Sequence, residues 1–323
     1  MNRYIITGAS GHIGNNLVRF ILDTEPDAKV IALTRRNVGK ELENLDIEQV
    51  IGDINDIHYL ESNIKPNDIV IHSAGFIDLT NKRKEESYNI NYLATKNLCD
   101  VCERVHVKKF VCIGSVDAID RAKGQDIISE PQKYVPEKIK DIYGKTKAMA
   151  TQYVLDKMNE NITFNACIIL PSAVIGVHDY KPSAIGKVVL NCIKGKAELG
   201  IKGGYNFVDV LDVCKAIYTA SHNDAKGQYI VSGHNVSVKE LYNIVNKCIG
   251  VVKKPIILPM WLAYLSMPFV KVLNPVTIKS LRQSHNCDYA RAKRDLGYEP
   301  RSFDETVKSV VDWFRDNISM FEK

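Results

Sequence analysis

An α/β fold built on a doubly wound parallel sheet, with a smaller and mostly helical C-terminal lobe, is what three features of this 323-residue sequence predict. The first is the apolar run Tyr4-Ile5-Ile6, which passes into the turn Thr7-Gly8-Ala9-Ser10-Gly11-His12-Ile13-Gly14 and then into an amphipathic segment, Asn15 to Thr24. The second is a series of short apolar runs at 29–36, 48–54, 68–75 and 109–116. Strands buried on both faces of a parallel sheet read as near-continuous apolar runs. The third is length, which suits one large domain or two coupled lobes around a substantial core.

Composition narrows the function. Apolar residues at 45% and charged residues at 25% are the balance of an ordinary globular chain. The net charge of +5 is scattered with no basic arm, so a nucleic-acid partner is not expected. Met1-Asn2-Arg3 leads straight into the first strand without an apolar leader, and a cytoplasmic location is expected. Eight cysteines (Cys99, Cys102, Cys112, Cys167, Cys192, Cys214, Cys248 and Cys287) are spread through apolar segments. Cys99 and Cys102 have no second pair at zinc spacing, so buried free thiols and no metal are expected. Pro255 to Val276 is almost wholly apolar, but Pro259, Pro268, Lys271 and Pro275 cut it short of the ~20 residues a spanning helix needs. It reads as a core helix roofing a hydrophobic pocket, with shallow membrane contact as the other reading and no stable insertion.

Strand, glycine turn, helix is the order a phosphate site requires. A helix N-terminus offers unpaired N–H groups and a partial positive charge. Gly8 permits the tight turn, Gly11 leaves room for a pyrophosphate at the backbone, and Gly14 lets the helix pack on its strand. The second strand, Lys29 to Arg36, ends in Thr34-Arg35-Arg36. A carboxylate there would repel a 2′-phosphate, whereas Arg35 can pair with one; NADP is therefore favoured, with NAD possible. A solvated basic turn is the plain alternative. Glu48 to Ile54 is the third strand, where Asp53 can reach an adenine amino group and Ile54 can cover the ring. An Asp there equally suits as the cap of a following helix, Asn55–Asn63.

Asp68 to Gly75 is a fourth strand ending in small residues, and Ala74 and Gly75 leave room for a ligand at the crevice. His72 reads as a packed strand residue. Arg83 to Val105 reads as one long helix, on which a buried Asn91 must satisfy its amide and braces the neighbouring site. Lys109 to Val116 is the fifth strand, ended by Ser115. A polar rim loop, 117–141, precedes a helix running from about Tyr143 to Asn159. Tyr143 and Lys147 lie one turn apart on that helix. An ammonium beside a phenol favours the phenolate, lowering the tyrosine pKa from ~10, and a tyrosine so tuned exchanges a proton with a carbonyl or alcohol oxygen. A Ser hydroxyl nearby can hold the same oxygen. Later helices are expected over Pro182–Gly195, Val238–Ile249 and Phe303–Asp316, with a short strand at Gly227–Ser232. His178 and Tyr180 read equally as substrate contacts or loop surface.

Taken together these residues resemble the extended short-chain dehydrogenase/reductases over essentially the whole chain. The glycine motif matches Thr7 to Gly14, and the adenine-contacting Asp matches Asp53. The alanine motif matches Ser73-Ala74-Gly75, with Gly75 where a second alanine is commoner. Asn91-Tyr92-Leu93-Ala94-Thr95 matches the structural Asn run, and the catalytic Ser, Tyr and Lys match Ser115, Tyr143 and Lys147. Leu170-Pro171-Ser172-Ala173-Val174-Ile175-Gly176 matches the proline motif, whose backbone, around Pro171 and Val174, the family uses to hold the nicotinamide carboxamide. Phe207 to Val213 matches the late FVxVxDV motif.

The resemblance implies a Rossmann dinucleotide-binding domain over 1–172, with 205–235 returning to it, and a substrate lobe from 173–204 and 236–323. It also implies a homodimer through the helices carrying Asn91 and Tyr143. Nucleotide-sugar members usually place an Arg just before the late motif, where this chain has Tyr205-Asn206. With Arg35 and the apolar 255–276 segment, the chain looks most like the dihydroflavonol-reductase and hydroxysteroid-dehydrogenase branch. The expected activity is reduction of a ketone, or oxidation of an alcohol, on a hydrophobic small molecule. A nucleotide-sugar epimerase or dehydratase with tightly held NAD(P) is the alternative; an intact Ser/Tyr/Lys set argues against a mere nucleotide sensor.

Overall fold

A computed structural model describes residues 1–323 except 38, 79, 122–126, 197–198, 263–280, 282–285 and 323. Seven parallel strands form the central sheet: β1 (Arg3–Thr7), β2 (Lys29–Thr34), β3 (Glu48–Ile51), β4 (Ile69–His72), β5 (Lys109–Ile113), β6 (Ala166–Pro171) and β7 (Gly227–Val231), in the order β7-β6-β5-β4-β1-β2-β3. The chain leaves β3 at one edge and re-enters at β4 on the other side of β1. That reversal opens a crevice beyond the C-terminal end of β1. Register aligns the strand ends there, with Thr7 opposite both Leu33 and His72, and His72 opposite Cys112.

Alternation along each strand feeds two cores. Tyr4 and Ile6 point to the face covered by α1 (His12–Thr24), where Leu17, Val18 and Ile21 are fully buried. Burying such a side chain is worth about 1.5–3 kcal/mol. Ile5 points to the opposite face, which is covered by α2 (Ile57–Asn63), α4 (Ala94–Val105) and α5 (Ile142–Glu160), with the short α3 (Lys84–Tyr88) packed on α5. A third core belongs to the smaller lobe, in which α6 (Ala184–Ile193), α8 (Val238–Ile249) and α10 (Phe303–Asp316) pack around Ile175, Phe207 and Val236. Those three residues sit on a three-stranded sheet of Ala173–Ile175, Gly204–Asp209 and His234–Ser237. Between Gly204 and Ser237 the chain returns to the large sheet through α7 (Val210–His222), which packs on α1, and through β7. Ala292 and Leu296 of α9 (Ala290–Leu296) join the α1 core as well.

Several elements differ from the sequence expectation for local reasons. The long helix is interrupted by a π-helical turn at Asn89–Leu93, between α3 and α4. The helix expected from Asn55 starts at Ile57, because Asp56 caps it by accepting from His58 N (2.9 Å) and Tyr59 N (3.3 Å). Asp53 instead closes the preceding turn, accepting from Asn55 N at 2.9 Å. Helix α6 is shorter than Pro182–Gly195, since Ser183 caps it at Gly186 N. By contrast α8 and α10 run over the expected residues, each started by a reciprocal Ser/Glu capping box, Ser237 with Glu240 and Ser302 with Glu305. All eight cysteines are free thiols, seven buried and Cys248 half-buried. Most of the 255–276 segment lies outside the described residues; Ile256–Leu258 forms a short strand parallel to Leu199–Ile201. Among the described residues no helix is long and apolar enough to cross a membrane.

His72 is buried at the sheet's C-terminal end, and the protons around it can be ordered. Thr95 Oγ1 donates to Asn91 O (2.8 Å), so it accepts from His72 Nε2 (2.8 Å). Nδ1 then accepts from Thr7 Oγ1 at 2.7 Å. The ring is a neutral Nε2–H tautomer assigned by its partners. Burial, with Lys147 nearby, pushes its pKa down to about 3. Unfolded, the ring titrates near ~6.5, so below that pH the unfolded chain takes up a proton that the folded chain refuses. Stability is therefore expected to fall by about 1.4 kcal/mol per pH unit below 6.5 on this account, levelling off toward pH 3. Urea unfolding between neutral and mildly acidic pH measures it. A His72→Gln variant should lose that component of the slope; an unchanged slope would assign it elsewhere.

Candidate active site

The glycine turn is shaped by contacts that leave no room for side chains. Gly8 adopts φ +72°, and a Cβ there would lie 2.4 Å from Ala74 N. A Cβ on Gly14 would lie 2.2 Å from Gly8 O. The turn is thus pressed onto the end of β4 while α1 is pressed onto the turn, and Gly11 N closes it by donating to Gly8 O at 2.9 Å. Gly11 itself is exposed, and α1 begins there with no side-chain cap and no acid in its first turn. Its N–H groups are left for an anion. The His12 ring does not take part, because its Nε2–H donates to Val177 O at 3.0 Å. What His12 and Ile13 can offer a phosphate is backbone.

The other candidate residues follow the strands to the same edge. Arg35 directly follows β2 and is exposed. Asp53 is exposed and Ile54 buried just after β3. Ala74 and Gly75 follow β4, Ser115 follows β5, and Pro171 ends β6 opposite Val231. Val174 is half-buried in the small sheet, opposite Val208. Two hydroxyls at this edge, those of Thr34 and Ser172, are buried with no hydrogen-bond partner. An uncapped helix terminus, a cationic strand end and two orphaned hydroxyls make a donor set that suits a dinucleotide.

Ser115, Tyr143 and Lys147 meet at the end of β5. Lys147 is buried and its Nζ donates to Ile113 O at 2.8 Å. A Cβ on Gly75 would come within 3.3 Å of that Nζ, so the residue that departs from the commoner alanine leaves room beside the lysine. Helix α5 is started by Asp141, which accepts from Gly144 N at 2.7 Å, and Asn81 accepts from Ile142 N at 2.8 Å. Asn91 braces the assembly from the π-turn, accepting from Phe76 N (2.7 Å) and donating to Phe76 O (2.9 Å) and Thr146 Oγ1 (3.1 Å). Ser115 Oγ accepts from Asp117 N at 3.1 Å, which leaves its hydrogen to point at another oxygen.

The electrostatics correct one expectation. Tyr143 is held above the usual phenol range, not below it. Burial is the largest cause, the Asp117 charge adds to it, and the Ser115 hydroxyl opposes both. Burial also lowers the Lys147 ammonium. Spacing on the helix suggested a charge–phenol pair, but the Lys147 ammonium is directed to Ile113 O and desolvation sets the sign for the phenol. Asp117 was missed from the sequence. Its carboxylate is 3.4 Å from Arg121 Nη2 and also raises Tyr205, from the small lobe, to about 12 together with burial.

His178 and Tyr180 are engaged by α1 and α10. His178 Nδ1 donates to Asn16 Oδ1 at 2.9 Å, and both rings pack on Trp313 of α10. Asn15 and Asn16 donate in turn to His178 O (3.2 Å) and Val177 O (2.9 Å), fastening the 177–178 loop to α1. An Asn-Asn pair one turn into the helix was the available signal for this latch. Among the described residues no group of three or more His, Cys, Asp or Glu side chains is arranged to hold a metal ion.

Comparison with known proteins shows the family to which the chain belongs. The model of the NAD dependent epimerase/dehydratase family matches residues 4–236. Sterol demethylase protein B of Methylococcus capsulatus is 25% identical over 97% of this chain and 98% of its own. A putative dihydroflavonol 4-reductase of Synechocystis sp. is 28% identical over 97% of this chain and 95% of its own. The crystal structure of dTDP-glucose 4,6-dehydratase from Bacillus anthracis in complex with NAD shares the fold, with a TM-score of 0.80 at 16% identity, over 99% of this chain and 98% of that one. The chain belongs to the NAD dependent epimerase/dehydratase family and is an oxidoreductase of the extended short-chain dehydrogenase/reductase type.

Proposed function

We propose that this enzyme reduces the ketone, or oxidises the secondary alcohol, of a hydrophobic small molecule with NADP(H). The observation that carries the reading is the meeting of Ser115, Tyr143 and Lys147 at the end of β5, in the crevice that begins at the glycine turn. A bound nicotinamide dinucleotide supplies or accepts the hydride. The chain's own residues handle the oxygen and its proton. Burial and Asp117 keep the Tyr143 phenol protonated at neutral pH, which suits it to give its proton to a carbonyl oxygen. Ser115, holding Asp117 N with its lone pair, turns its hydrogen toward the same oxygen. In the oxidising direction Tyr143 must first lose its proton, and the Ser115 hydroxyl is the group that favours the phenolate.

Asn206 supports this branch over the nucleotide-sugar one. It stands where those enzymes usually carry an Arg for the substrate's diphosphate. Here it is buried and engaged in the small sheet, donating to Asn235 Oδ1 (3.1 Å) and Gly233 O (3.3 Å) and accepting from Gly233 N (3.0 Å). The preference for NADP rests on Arg35, a cation at the end of β2 where an acid would select NAD.

Four outcomes test the proposal. NADPH should be consumed with apolar ketones; turnover of a UDP- or dTDP-sugar without net cofactor consumption would replace it with the epimerase or dehydratase reading. Tyr143→Phe should lower kcat by about 10²–10⁴ while leaving the cofactor Kd within error, and retained turnover would remove Tyr143 from proton transfer. Arg35→Ala should weaken NADPH by roughly 10–100-fold and NADH little, as measured by fluorescence titration, whereas equal losses would take Arg35 off the 2′-phosphate. The oxidation rate should rise with pH through the alkaline range because the Tyr143 pKa is raised. Asp117→Asn removes one raising charge and should move that limb to lower pH; a shift the other way would refute the role given to Asp117.

A further inference from the structure

We propose that one end of the small lobe is a docking surface for an anionic lipid bilayer. In the short parallel ribbon, Leu199 stands directly opposite Ile256. Gly200 and Ile257 face inward, since a Cβ on Gly200 would meet Val238, Ile257 and Tyr242. Strand alternation therefore turns Leu199 and Ile256 outward, and they are 55% and 62% exposed. The loop after α8 lies alongside. Lys253 Nζ donates to Gly195 O (3.3 Å) and Lys196 O (3.2 Å), just before Leu199 in the chain. This brings Val251 and the fully exposed Val252 beside the ribbon. Lys202 N donates to Leu258 O, and Trp261, three residues beyond, is 64% exposed. Scattered exposed apolar residues need no explanation; a cluster of large ones on neighbouring segments does.

Charge decides the occupant. Lys194, Lys196, Lys202, Lys253 and Lys254 are all exposed around this cluster. In the sequence the 194–202 stretch carries one acid, Glu198, against three lysines, and no Asp or Glu stands between Glu240 and Asp288. Apolar residues flanked by lysines match the two layers of a bilayer surface: Trp, Ile, Leu and Val enter the headgroup boundary while the ammonium groups stay at the phosphates. A second copy of the chain fits less well, because a two-fold contact on this patch would bring the same lysines face to face. A nucleic acid would leave the apolar residues unused. The surface stands independently of the substrate reading, since it rests only on exposure, register and charge.

The test uses the full chain with vesicles of phosphatidylcholine alone and with about one-third phosphatidylglycerol. The protein should sediment with the anionic vesicles and remain in solution with the neutral ones, and added salt should release it. Tryptophan emission should shift to the blue on binding, and the shift should vanish in Trp261→Phe. Lys196→Gln and Lys254→Gln should each weaken binding about fivefold. The pair Val252→Asp and Ile256→Asp should abolish it, with the circular dichroism spectrum, unfolding midpoint and NADPH affinity unchanged as controls. Failure to bind anionic vesicles at low salt, or full binding by the doubly substituted protein, would overturn the proposal. So would a dimer in sedimentation velocity that the same substitutions split, since the patch would then be an interface between copies.

Discussion

Everything at the active edge depends on how closely three pieces of backbone approach one another there. The glycine turn lies against Ser73 and Ala74 at the end of β4, and the first turn of α1 lies against Gly8 O. No side chain separates them. The consequence is a helix terminus aimed into the crevice between β1 and β4, with its N–H groups uncapped. A larger residue at Gly8 or Gly14 would move the helix off the sheet and its uncapped N–H groups with it.

The second constraint is that polar groups buried at this edge are satisfied from several elements at once. His72 joins β1 and β4 to α4 through Thr7 and Thr95, and Thr95 passes the connection to Asn91 in the π-turn. Asn91 then fastens Phe76 to Thr146, the neighbour of Lys147. A chain of this kind is costly to leave half-made, so it specifies one arrangement of the strand ends and of α5. Extra helical turns of the π type recur where a side chain must be brought to a site out of α-helical phase. Lys147 is held by the same logic, with a backbone carbonyl as its partner.

The two lobes are coupled on both sides of the crevice. On one side the 177–178 loop, fastened to α1 by Asn15, Asn16 and His12, carries rings that pack on α10. On the other, Asp117 acts on both Tyr143 of the large lobe and Tyr205 of the small one.

The sequence by itself determined the elements and their order. Burial on both faces writes parallel strands as apolar runs, and a phosphate turn needs glycines in a fixed local pattern, so β1 to β5 and the Thr7–Gly14 turn were legible. So were α8 and α10, whose amphipathic spans match to the residue and whose starts the Ser237 and Ser302 capping boxes hold. Ser115, Tyr143 and Lys147 were legible as a set because each lies at a strand end or on one helix face. Local pattern does not report what lies across the fold. It gave Asp53 as a possible helix cap when Asp56 takes that role, and it passed over the π-turn, the Asn16–His178 latch and Asp117. It also put the Tyr143 pKa on the wrong side of normal. That last sign is set by how much protein surrounds the phenol, and desolvation is a property of packing from every direction rather than of spacing along one helix.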